Sequence, residues 1–153
     1  MKKKEIVVIL DDIRSALNVG AILRTCDGAG IIKVYICGIT PKPSHEKVKK
    51  TALGAETYVT CEYVKSIGEL IRRLRSEGYN IVAVEQDPKA KKIQEFKTTR
   101  KMALVFGNEL LGISIETLKS SDIILEIPMF GRKNSLNVAT SLGIVLYLLI
   151  LKP

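Results

Sequence analysis

Residues 126–152 read EIPMFGRKNSLNVATSLGIVLYLLILK, and the reading of the fold starts from them. An apolar run, Ile123-Ile124-Leu125 with Ile127, leads into Pro128. Proline has no N–H to give a ladder, so a strand stops there. Gly131-Arg132-Lys133-Asn134-Ser135 is a polar, basic loop, and Leu136-Asn137 then opens a helix. Ser135 or Asn137 can cap its first turn, because short oxygen-bearing side chains accept from the unpaired N–H groups there. From Val138 to Leu151 the helix has almost no polar face. It needs cover on more than one side, from its own domain and from a partner chain. A polar loop held between a buried strand and a buried helix is a rigid mount for chemistry.

Working back from that stretch, apolar runs of strand length recur at Ile6–Leu10, Val34–Cys37, Tyr58–Cys61, Ile81–Val84 and Met102–Phe106. Between them lie helical patterns. Val19, Ile22, Leu23 and Cys26 fall at i, i+3, i+4, i+7, with Asn18 where an N-cap belongs and Gly28 and Gly30 at the end. Ser66 to Glu77 is amphipathic, with Ile67, Leu70, Ile71 and Leu74 inward and Arg72, Arg73 and Arg75 mostly outside. Short helices are expected over Val48–Leu53 and after Ser114. Strands alternating with helices predict an α/β fold, a mostly parallel six-stranded sheet with helices on both faces. Residues 1–153 read as one domain with no internal repeat.

The net charge of +8 favours an anionic partner, nucleic acid first. Only 5% of residues are aromatic and there is no Trp, which argues against single-strand binding on stacking platforms. Cys26, Cys37 and Cys61 have no metal-ligand spacing and the one histidine is His45, so no metal site is expected. Lys2-Lys3-Lys4 before Ile6 looks like a leader, but Asp11-Asp12 cuts the apolar run too soon. The C-terminal apolar tail falls short of the ~18 residues of a membrane span. A cytoplasmic protein with reduced thiols and no membrane association is expected.

Three polar loops follow apolar strands, where α/β sheets place their sites. The first holds Asn18-x-Gly20-x-x-x-Arg24, the second Phe106-Gly-Asn-Glu109-x-x-Gly112, and the third Ile127-Pro-Met-x-Gly131-x-x-x-Ser135-Leu-Asn137-Val-Ala. Singly, each has a plainer reading: Asn18 as a cap, Arg24 as a solvated helix residue, Gly107 and Gly112 as turn glycines, Ser135 and Asn137 as helix-start residues. Together, in this order and at these spacings, they resemble the three motifs of the SpoU/TrmH class in the SPOUT superfamily. These are RNA 2′-O-ribose methyltransferases that use S-adenosyl-L-methionine. The resemblance runs from Ile6 to Leu151.

That resemblance implies more than periodicity does. It implies a C-terminal deep trefoil knot, although knots are rare exceptions to chain topology. It implies a bent cofactor bordered by Val84, Glu85, Gly107, Ile127 and Leu136, largely through backbone groups. It implies that Arg24 activates the ribose hydroxyl, with Asn18, Glu109, Ser135 and Asn137 holding Arg24, the ribose and the loops in place. An arginine is hardly ever deprotonated, so Arg24 is read as stabilising developing oxyanion character. The methyl donor is already activated and needs no metal.

The resemblance also implies a homodimer, to which the C-terminal helix offers an apolar surface. Many relatives add an RNA-binding domain; here the expected RNA, tRNA or rRNA, falls to the domain's own basic surface. The richest stretches are Lys42–Lys50, Arg72–Arg75 and Lys89–Lys101, with Arg132-Lys133 inside the third motif. Lys49 to Glu56 looks more like the TrmH and ribosomal-guanosine branch than the wobble-ribose branch. Two other readings stay open from the residues: a non-catalytic basic RNA-binding protein, and a SPOUT methyltransferase acting on a base.

Overall fold

Residues 3–153 are described by the computed structural model; Met1 and Lys2, where the lysine run starts, lie outside the described residues. The strands are β1 (Glu5–Asp11), β2 (Lys33–Cys37), β3 (Thr60–Val64), β4 (Asn80–Val84), β5 (Lys91–Lys92), β6 (Lys101–Phe106) and β7 (Ile123–Glu126). They form one sheet in the order β3-β2-β1-β6-β4-β7-β5, parallel at every pairing. The sheet therefore has seven strands where six were expected. The additional one, β5, pairs Lys91 with Leu125 and Lys92 with Glu126. A two-residue Lys-Lys edge strand carries no apolar pattern to read. β3 also sits further on than Tyr58–Cys61. Ala55–Thr57 forms a 3-10 turn instead, Val59 is buried behind it, and Tyr58 is 74% exposed.

Side chains alternate across a strand, and this sorts the core into two layers. Ile6, Val8 and Leu10 face α1 (Ala16–Gly28), α2 (Glu46–Ala52) and α5 (Val138–Leu151). Val7 and Ile9 face the other way, with α3 (Ile67–Ser76) and α4 (Ile115–Ser120). As read from the sequence, Leu70, Ile71 and Leu74 are the buried face of α3. In α5 the buried residues are Leu142, Val145, Leu146 and Leu149, while Tyr147, Leu148 and Leu151 are exposed. Its own domain thus covers only part of the helix.

The helix ends follow the capping rules, with one correction. Ser15, not Asn18, is the N-cap of α1: its hydroxyl accepts from the Asn18 N–H at 3.2 Å. The helix starts earlier because Ala16 continues the buried stripe of Val19, Ile22 and Leu23. Asn18 is therefore freed from capping and faces the site described below. Gly20 marks the contact between α1 and α2. A Cβ there meets Thr51 Oγ1 at 2.0 Å and the Val48 carbonyl oxygen at 2.2 Å, so no larger residue fits.

Chain direction around the sheet reverses beside β4, whose neighbours are β6 on one side and β7 on the other. Such a reversal opens a crevice at the carboxyl ends of the strands.

Candidate active site

The crevice is a cavity of about 650 Å³ at the carboxyl ends of β4, β6 and β7. Val84, Phe106 and Ile127 form its apolar walls; Asn18 enters from α1, and Asn137 and Ser141 from the start of α5. Of the ten residues expected at the site, Asn18, Val84, Glu85, Gly107, Glu109, Ile127, Ser135, Leu136 and Asn137 all line it. Arg24 does not. It lies exposed in a separate open hollow beside Lys50, Thr51 and Tyr147. The reason is helical geometry: six positions beyond Asn18 is ~9 Å along the axis and about a third of a turn away from its face.

Three polar side chains tie the loops together. Glu109 Oε2 accepts from the Arg14 N–H at 2.9 Å, and Oε1 from the Ser15 N–H at 3.1 Å and Asn18 Nδ2 at 3.2 Å. Partial burial pushes its carboxyl up, but the N–H groups of Arg14 and Ser15 outweigh that and hold it below the usual range. Asn18 Oδ1 accepts from Asn137 Nδ2 at 3.2 Å. Asn137 Oδ1 in turn accepts from the Ala139 and Thr140 N–H groups at 2.9 and 3.2 Å, which makes it the N-cap of α5. All three sequence loops are thus joined through one chain of hydrogen bonds. Asn18 cannot turn its amide over without losing both partners.

The second loop is held as tightly from within. Asn108 Nδ2 donates to the Asp12 carbonyl at 2.8 Å, and its Oδ1 accepts from the Leu110 and Leu111 N–H groups. Glu85 Oε2 accepts from the Ile113 N–H at 3.1 Å. Gly112 has φ +68°, and a Cβ on it meets Glu85 Oε2 at 2.4 Å. A Cβ on Gly107 meets the Gly112 backbone at 2.6 Å, so here the main chain packs on main chain. Glu85 therefore also acts through its side chain on the loop, where a largely backbone role was expected.

Gln86 escaped the sequence reading. Its Nε2 donates to the Ile127 carbonyl at 2.7 Å, joining the loop after β4 to the third motif. One polar residue after a strand gives no signal until β4 and β7 are known to pair. By contrast Ser135 and Leu136 lie on an exposed lip, where every residue from 130 to 137 is exposed.

The lining has a marked chemical bias. It carries two carboxylates, Glu85 and Glu109, and among the described residues no lysine, arginine or histidine. Such a cavity suits a neutral or cationic ligand with an apolar face and disfavours a phosphate-bearing one. The described residues also contain no cluster of His, Cys, Asp or Glu that could hold a metal.

Comparison with known proteins agrees with this geometry. The model of the SpoU rRNA Methylase family matches residues 5–147. The tRNA (guanosine(18)-2′-O)-methyltransferase of Borreliella burgdorferi is 32% identical over 152 residues, 99% of this chain and 69% of that one. Its counterpart in Aquifex aeolicus is 31% identical, over 95% of this chain and 69% of that one. Among solved structures, the A. aeolicus TrmH/SpoU tRNA modifying enzyme superposes with a TM-score of 0.86 at 30% identity, covering 96% of this chain and 74% of that one. An AdoMet-bound rRNA methyltransferase from Sinorhizobium meliloti gives a TM-score of 0.89 at 27% identity, over 96% of this chain. This chain spans 56% of that longer one. By its three linked loops and by this match over nearly its whole length, the chain belongs to the SpoU rRNA methylase family.

Proposed function

We propose that the chain is an S-adenosylmethionine-dependent methyltransferase acting on a ribose 2′-hydroxyl of tRNA or rRNA in the cytoplasm. The observation that carries this reading is the cationless cavity into which all three motif loops converge. Its volume is in the range of small-molecule sites. Its apolar walls suit an adenine, and its carboxylates suit a sulfonium and not a dinucleotide's phosphates. Val84, Glu85, Gly107, Ile127 and Leu136 would hold the cofactor. When bound, it supplies a methyl carbon already activated toward an oxygen nucleophile.

The remaining task is to position a weakly acidic hydroxyl and ease its charge. Among the described residues no cation lines the cavity to ease that charge. Glu109 is committed to three donors, and the amides of Asn18 and Asn137 are committed to each other. The guanidinium of Arg24 is the missing part, and within one chain it stands in a different hollow. A second copy supplies it. The exposed Tyr147, Leu148 and Leu151 of α5, with Tyr147 beside Arg24, offer the apolar surface for that copy. In this reading Arg24 stabilises the developing oxyanion, while Ser135 on the exposed lip meets the ribose.

A C-terminal trefoil knot is part of the same proposal. Its support lies in how the chain end is held. Lys152 Nζ donates to the carbonyls of Ile93, Gln94 and Phe96 at 2.6, 3.2 and 2.9 Å, so the end of α5 is pinned against an earlier segment. Lys4 Nζ donates to the Leu149 carbonyl at 2.8 Å from the other side.

The test is methylation of unfractionated tRNA and rRNA with methyl-labelled cofactor, followed by digestion to nucleosides. The label is expected on ribose 2′-oxygen, and Arg24→Ala is expected to keep cofactor binding while losing ~10²–10³ in turnover. Label on a base, or no label with intact RNA binding, contradicts the proposal.

A further inference from the structure

The cationic residues of this chain fall into two groups that charge alone does not separate. On α3 and the neighbouring strand ends most cations are matched, Arg72 excepted: Arg73 pairs with Glu62 at 2.9 Å, Arg75 with Asp122 at 3.2 Å, and Arg100 with Glu5 at 3.3 Å. On and before α2 they are not. Lys42, Lys47, Lys49 and Lys50 are all exposed, and none makes an ion pair among the described residues. Glu46 is the one acid in this stretch and pairs with none of them. Lys50 shares its hollow with Arg24. At the other end Lys42 Nζ lies 5.1 Å from the ring centroid of Tyr63, which is half-exposed.

The helix itself does not ask for all of these charges. Lys49 and Lys50 sit in the last turn of α2, where a cation favours the helix dipole. Lys47 sits in the first turn, where a cation opposes it. Unpaired lysines at both ends of a short helix repel one another unless an external anion runs past them.

We propose that the strip Arg24–Lys50–Lys49–Lys47–Lys42, with Tyr63 at its far end, carries the RNA backbone flanking the modified ribose. This rests on the methyltransferase reading above. Because Arg24 is supplied to the cavity of a second copy, the strip goes with it. One protomer holds the cofactor and the target ribose's lip, and the other holds the neighbouring phosphates. The competing unpaired stretch is Lys89 to Lys97, which includes the edge strand β5 beyond β7.

The experiment uses two triple variants of the full chain, Lys47→Gln/Lys49→Gln/Lys50→Gln and Lys89→Gln/Lys91→Gln/Lys92→Gln. Binding of unfractionated tRNA and of rRNA fragments is measured by anisotropy between low and high KCl. Binding of S-adenosylhomocysteine reports that each variant is folded. The α2 variant is expected to lose about 0.7–0.9 of salt slope per lysine, with KM for RNA raised about tenfold or more. The edge variant is expected to keep the wild-type slope. A wild-type slope in the α2 variant, or an equal loss in the edge variant, overturns the strip. If the wild-type protein binds RNA through the strip yet methylates none, the methyltransferase reading falls and the strip stands.

Discussion

Asn137 donates through Nδ2 to Oδ1 of Asn18 at 3.2 Å, across 119 positions of the chain. The same Asn137 caps α5 through its Oδ1, and the same Asn18 is gripped by Glu109. A helix start, a helix face and a strand-end loop are therefore set by one line of side chains. The site's shape depends on this line more than on any single contact.

The line separates stability from activity at Asn137. Aspartate caps a helix as well as asparagine but cannot donate to Asn18. Asn137→Asp is expected to keep the melting temperature within a few degrees while turnover falls at least tenfold. Thermal melting and the labelled-methyl assay on the same preparation check this. An equal fall of Tm and rate on Asn137→Asp and Asn137→Ala marks the residue as a cap only.

Gly20 tests the packing of α1 on α2. Its missing Cβ leaves room for Thr51, whose Oγ1 donates to the Leu17 carbonyl at 2.8 Å. Gly20→Ala is expected to cost about 3 kcal/mol in denaturant unfolding. Gly131→Ala, where a Cβ meets nothing within 4 Å, is expected to stay within about 0.5 kcal/mol.

Asp11 is a half-buried carboxyl the fold tolerates. Burial, and then the neighbouring Asp12, push its carboxyl from 3.8 up to about 6. The folded state therefore binds a proton that the unfolded state has released, and stability falls as pH rises between those two values. Asp11→Asn is expected to raise Tm at pH 7.5, with a gain that shrinks below pH 6 and is absent below about pH 3.8. A gain of the same size at pH 3.5 and pH 7.5 contradicts it.

Much of this was readable in the chain because the parts obey local rules. Continuous apolar runs marked every strand but β5 and β3, whose run was read two residues early, and Ser114 sits at the N-cap expected of it. The loop residues stood out through their order and spacing. What stayed hidden depended on neighbours far off in sequence. β5 exists only because β7 offers it an edge, and Gln86 matters only because Ile127 lies opposite. Asn18 looked like a cap because Ser15, three residues earlier, could fill that place only if α1 began at Ala16. Arg24 and Asn18 belong to one motif in sequence, yet α1 points them at different hollows.

That divergence makes the shared site the account's central claim, and mixing two inactive chains tests it most directly. Arg24→Ala spoils the contributed guanidinium, and Asn137→Asp spoils the cavity. Mixed and reassembled in equal amounts, half of the dimers are heterodimers, each with one site built from an intact cavity and an intact Arg24. The account predicts that labelled-methyl transfer to RNA recovers to about one quarter of the wild-type rate. Recovery no greater than the sum of the two separate variants, with heterodimers shown to be present, contradicts it.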